Sequence, residues 1–178
     1  GLDSPGAPDI IVSFRWSDQA NANGLAGVVI SDSEKRTPGQ GIHASLSRFD
    51  MHNTLLASGP DFREGFVDQH PTGNMDVMPT ILQILGLKPE GTVDGRVLSE
   101  ALLNGEGSDS APNTIKLEAR RNLGGVNWSQ YLQVSKVGKV VYFDEGNGAG
   151  RVISKECCLL RSCLPNRTPR LQFAISQN

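Results

Sequence analysis
Residues Asn74 to Pro89, NMDVMPTILQILGLKP, constrain this chain more than any other stretch, because they carry both the start and the stop of a helix. Asp76 or Asn74 is placed to cap it, and Pro79 falls in the first turn, where a missing N–H is harmless. Val77, Ile81, Ile84 and Leu85 recur at helical spacing and predict one buried face. Gly86 followed by Leu87 is a C-terminal stop with its apolar contact, and Pro89 marks the exit.

Around this helix the other signals are shorter. DIIVSF (9–14), β-branched and following Pro8, suits a buried strand, and GVVI (27–30) a second short one. SDSEKRTPGQG (31–41) has the composition of a long exposed loop leading to His43. Ser47-Arg48-Phe49-Asp50 fits a capping pattern and predicts a helix from Arg48 to Ala57, stopped by Gly59-Pro60. A further short helix is expected from Arg96 to Leu103. GEGSDSAP (105–112) reads as a linker. YLQVSKVGKVVYFDEG (131–146) predicts two strands about a Gly138-Lys139 turn. From Arg151 onward no period is sustained, which predicts a poorly packed tail.

The chain has 178 residues, enough for one ordinary domain. A net charge of −2 supplies no electrostatic reason to expect a nucleic acid polymer or an acidic membrane as partner. No apolar run has the length of a membrane span. GLDSPGAPDI (1–10) has neither a basic head nor an apolar core, so it does not read as a secretion signal. Cys157, Cys158 and Cys163 lack the paired spacing of a zinc site, and adjacent cysteines rarely bridge each other.

GIHASLSRFDMHNTLLASGPDFREGF (41–66), followed by TGNMDVMPTILQILGL and DGRVLSEAL, resembles the C-terminal part of the alkaline phosphatase superfamily. Within it the chain is similar to the type I phosphodiesterases and nucleotide pyrophosphatases. The resemblance covers residues 8–103 and extends loosely to 148. It implies an α/β fold: the C-terminal portion of an alkaline-phosphatase-like sandwich over 1–107, then a linker and small β-hairpin extension (108–150), and the tail (151–178). It also implies hydrolysis of phosphate esters of small molecules through a covalent phospho-Thr or phospho-Ser, at two zinc ions about 4 Å apart. Family members are often periplasmic or extracellular.

In that family one ion is held by an Asp and two His, the other by two Asp, a His and the nucleophile. The motif Gly41-Ile42-His43-Ala44-Ser45 makes His43 a metal ligand by this match, with Ala44 where the family usually has Gly. No other ligand and no nucleophile has a counterpart here, so the resemblance implies a partial site, inactive alone. The other two histidines carry weaker signals. His52 is expected to face solvent, and Asp68-Gln69-His70 to form a surface turn rather than a ligand pair. Asp50 and Asp61 have structural roles available, in a cap and after a Gly-Pro turn. Ser45 and Ser47 lack an Asp-oriented His. Phe14 and Trp16 suit packing against a sheet more than lining a substrate pocket.

Two alternatives stand beside the phosphodiesterase expectation. One is a sulfatase or phosphonate hydrolase of the same superfamily, where the DVxPTIL and Gly-Arg-x-Leu patterns recur. The other is a non-catalytic structural or interaction module. A partial sheet exposes an edge and an apolar face, which predicts self-association through that edge.

Overall fold
The backbone is best understood from its hairpins. The computed structural model describes residues 10–30, 45–107 and 111–152. The predicted turn at Gly138-Lys139 joins strands β4 (Val126–Val137) and β5 (Val140–Val152), with Val137 opposite Val140 and Gly138 at φ 58°. A third strand, β3 (Asn113–Asn122), pairs antiparallel with β4, placing Leu117 opposite Leu132. The sheet order is β3-β4-β5. β3 begins directly after the expected linker. The linker and hairpin expected over 108–150 do not include it, although Thr114, Lys116, Glu118 and Arg120 alternate with Ile115, Leu117 and Ala119 at strand period.

N-terminal to this sheet lies a two-stranded ribbon, β1 (Trp16–Ser17) and β2 (Val28–Val29), also antiparallel. Two short helices follow: α1 (Arg48–Met51) and α2 (Val77–Ile84), the latter entered through a 3-10 turn, Asn74–Asp76. A second 3-10 turn spans Ser99–Ala101. The described residues are therefore mixed α and β, with few helices and one small antiparallel sheet. None of these helices is long and apolar enough to cross a membrane.

The stop of α2 follows the local signals. Gly86 takes φ 67°, the Leu87 N–H donates to Leu82 O at 2.9 Å, and the Gly86 N–H donates to Gln83 O at 3.1 Å. That pair of bonds is the Schellman stop that only a residue tolerant of positive φ completes without strain.

Four expectations are corrected. Residues 10–14 of the predicted 9–14 strand form no ladder, and Ile11 is 61% exposed. β propensity is realised only where a partner strand is present, and the pairing here starts at Trp16. The helix expected to reach Ala57 ends at Met51, where the Asn53 side chain donates to Asp50 O at 2.8 Å and occupies a helix acceptor. The helix expected over 96–103 contracts to a 3-10 turn. Its Leu102 is drawn into an extended bridge with Phe62, and Leu98 has non-helical φ/ψ of −80°/61°.

The fourth correction concerns α2 itself. Pro79 and Thr80 are buried, whereas Val77, Ile81 and Leu85 face outward and Ile84 is half-buried. The Thr80 hydroxyl donates to Asp76 O at 2.7 Å and accepts the Leu98 N–H at 3.0 Å, so hydrogen bonds turn the polar side of the helix inward. With Ile81 49% exposed, Ile81→Ala is expected to change stability by less than about 0.5 kcal/mol, not the roughly 2–5 kcal/mol of a buried site. Urea unfolding of the variant checks this, and a loss of several kcal/mol would show that the apolar face is covered.

Candidate functional site
His43, the residue that the motif places as a metal ligand, lies outside the described residues, as do Cys157, Cys158 and Cys163. Of the tail expected from Arg151, residues 153–178 also lie outside them, whereas Arg151 and Val152 are not loose but close β5, paired with Asn127 and Val126. The description resumes at Ser45, on the approach to α1. The Ser47 N–H donates to Ser45 Oγ at 3.1 Å, and the Ser45 hydroxyl donates to Asp50 Oδ2. Ser47 Oγ accepts the Phe49 N–H at 3.3 Å, the N-cap expected from its position. Asp50 thus supports the entry of α1 through Ser45 rather than by reaching the Ser47 N–H itself. His52 is exposed at the helix C-cap, as predicted.

Trp16 packs, and its edge also contributes to the wall of a groove. It is 5% exposed, stands edge-on to Phe49 at 6.0 Å between centroids, and its indole N–H donates to Gly146 O at 2.8 Å. The Arg48 guanidinium lies 5.4 Å from the Trp16 ring. The Gly146 N–H in turn donates to Leu46 O at 2.8 Å, so Trp16 and Leu46 together engage the outer edge of β5 at Gly146. Beside Trp16 runs an open groove of about 510 Å³ whose walls include Arg15, Asp18, Glu118, Arg120 and Tyr131. Its charges are mixed and its lining contains no His or Cys.

The densest polar cluster lies elsewhere, where the loop at 68–73, the start of α2 and the 94–100 segment meet β5. Asp76 is fully buried. Its Oδ2 accepts the Gly73 N–H at 2.8 Å and the Tyr142 hydroxyl at 3.0 Å, and its Oδ1 accepts the Arg96 N–H at 2.8 Å. The Arg96 side chain radiates from the same point. Nε donates to Tyr142 Oη at 3.0 Å, Nη1 to Glu100 Oε2 at 2.9 Å and Nη2 to Pro71 O at 3.2 Å. Burial opposes the charge on Glu100, but the hydrogen bond and charge of Arg96 outweigh it, and its pKa sits below the ordinary glutamate value.

Asp68 and His70 complete the cluster. Asp68 Oδ1 accepts the His70 N–H at 2.9 Å and lies 3.2 Å from His70 Nδ1. One ligand atom each from Asp68, His70 and Glu100 lies within 4.8 Å of the others, the only such trio among the described residues. The donor types suit a divalent ion. In this structure Glu100 is already engaged by Arg96. Arg96 Nη2 lies 2.6 Å from Glu100 Oε1, without the alignment of a hydrogen bond, and Nη1 holds Oε2. The Arg96 guanidinium supplies the positive charge facing Glu100, and Asp68 and His70, expected as a surface turn, lie half-buried beside that pair.

Tyr142 gives this cluster a pH signature. Burial, then the hydrogen bond to Asp76 and its charge, push the phenol up to about 12 from 10.0. The folded state therefore retains a proton that the unfolded state releases above pH 10, and the associated stability is complete below that pH. It is lost as pH rises from 10 toward 12. The wild-type urea midpoint is expected to fall over this window, and Tyr142→Phe to fall less steeply. Identical slopes would remove the assignment. Burial and the Glu145 carboxylate also raise Tyr131, which leaves a residual slope in the variant.

The inward position of Asp76 and the roles of Arg96 and Tyr142 were not legible in the sequence. The one available signal was Asp-Gly-Arg shortly after the α2 exit, an unusual place for a charge unless something receives it. Comparison of this chain with protein-family models, curated proteins and solved structures finds no match.

Proposed function
We propose that this chain corresponds to the later part of a metal-dependent phosphoric-ester hydrolase of the phosphodiesterase/nucleotide pyrophosphatase type, built on an alkaline-phosphatase-like α/β sandwich. The observation that carries the reading is the joining of its two motif segments. DVMPT and DGRVL are separate in sequence, yet Asp76 holds the Arg96 N–H at 2.8 Å and Thr80 holds the Leu98 N–H at 3.0 Å. Motifs that recur together in a family are expected to form one unit, and these do. His43 would be this chain's contribution to a two-zinc site that activates a nucleophile and stabilises a leaving oxygen. A phosphate ester of a small molecule would be the substrate of the intact enzyme.

On this reading the chain by itself is expected to show no enzymatic hydrolysis of a chromogenic phosphodiester, with or without zinc. One imidazole cannot fix two divalent ions, since a tight zinc site takes about three protein ligands. Wild type and His43→Ala should give equal background rates. Turnover abolished by His43→Ala would show a complete site and overturn the partial reading. The coding frame upstream of Gly1 provides the positive test, because an Asp and a Thr or Ser nucleophile motif are expected there. A sulfatase or phosphonate hydrolase of the same superfamily is the alternative that the nucleophile's surroundings would select. A non-catalytic module gains support from Arg96, which makes the best-formed acid–base cluster a closed structural one.

A further inference from the structure
We infer that the outer edge of β3 pairs antiparallel with the same edge of a second copy of this chain, in a register centred on Leu117. The two edges of the sheet differ. That of β5 is interrupted at its middle, where Gly146 bonds to Trp16 and Leu46. Among the described residues no strand pairs with the outer edge of β3, which runs from Asn113 to Asn122. An edge of this length presents a row of backbone donors and acceptors that a matching strand can satisfy.

The partner is argued from charge. Along one face of β3 the side chains are Lys116, Glu118 and Arg120, alternating in sign. Centring on Leu117 sets Lys116 of each copy against Glu118 of the other, twice by symmetry. It also sets Leu117 against Leu117 and Ile115 against Ala119 on the opposite face. Centring on Lys116 or on Glu118 instead places a residue against its own charge. Centring on Ala119 pairs Glu118 with Arg120 but sets Leu117 against Arg121 and shortens the overlap. Leu117 is 55% exposed and already stands across from Leu132, so the preferred register extends that apolar row into the second copy. In a single chain Lys116 Nζ lies 3.7 Å from Glu118 and 4.3 Å from the Tyr131 ring centre, with both charged side chains about half exposed. Glu118 also accepts from Arg120 Nη2 at 3.2 Å, so pairing across the edge exchanges these solvent-exposed contacts for intermolecular ones. The inference is independent of the hydrolase reading.

The test is sedimentation equilibrium of the full chain, with native mass spectrometry of mixtures. Because the interface is small, a dissociation constant on the order of 10–100 µM is expected. Lys116→Glu alone and Glu118→Lys alone should each weaken self-association about tenfold, with circular dichroism unchanged, since each places like charges opposite one another. Mixing the two variants should restore dimers as a heterodimer, because every facing pair then has opposite sign. A monomeric wild type at millimolar concentration would overturn the inference. So would single variants that dimerise like wild type, or a mixture that stays monomeric while both components remain folded.

Discussion

Asp76→Ala is expected to lower the unfolding free energy by roughly 3–5 kcal/mol, the largest loss expected from any single side-chain truncation in this chain. Asp76 is fully buried and accepts from three donors belonging to three parts of the structure: the Gly73 N–H, the Arg96 N–H and the Tyr142 hydroxyl. Removing the carboxylate deprives all three of their acceptor inside the fold, and each buried donor left without one costs about 1–3 kcal/mol. Water entering the small cavity can recover part of that loss, which keeps the estimate below the sum. Against a typical stability of about 5–15 kcal/mol this is a large fraction. Tyr142→Phe removes one donor to Asp76 and the acceptor of Arg96 Nε, and should cost less, about 1.5–3 kcal/mol. Urea unfolding monitored by the fluorescence of Trp16 and Trp128 gives both values. Equal, small losses in the two variants would show that Asp76 is not the hub that joins α2 to β5.

Gly95→Ala is expected to destabilise the chain by about 3 kcal/mol or more, for a steric reason. A β-carbon at this position would overlap the carbonyl oxygen and carbon of Met75 and stand 2.8 Å from the Asp76 nitrogen. All three are backbone atoms, so no rotamer change relieves the overlap, and overpacking against fixed atoms lies at or above the usual 1–3 kcal/mol. Separating the two segments would also lengthen the 2.8 Å bond from Arg96 N to Asp76 Oδ1. Gly91, where nothing lies within 4 Å but φ is 94°, is the instructive contrast. Gly91→Ala is limited to backbone strain, and its loss should be the smaller one. A Gly95→Ala variant as stable as wild type would mean that the loop at 94–96 does not sit against the entry of α2.

What the sequence determined by itself is the set of features whose partners are close in the chain. α2 and its Gly86 stop, the Ser47 N-cap and the Gly138-Lys139 turn all rest on hydrogen bonds between near neighbours, so residue type and spacing were sufficient to place them. The pairing of Asp76 with Arg96 across 20 residues, and with Tyr142 across 66, left no such trace. The same holds for the side of α2 that turns inward. Periodicity located the Val77, Ile81 and Leu85 stripe, but only the bonds of Thr80 decided that the opposite side is buried. β propensity likewise marked residues 9–14, while the ladder formed two residues later, where β2 supplies a partner. Local rules specify conformations. Which of them survive, and which surfaces become interior, depends on bonds to residues that the chain brings together only after it folds.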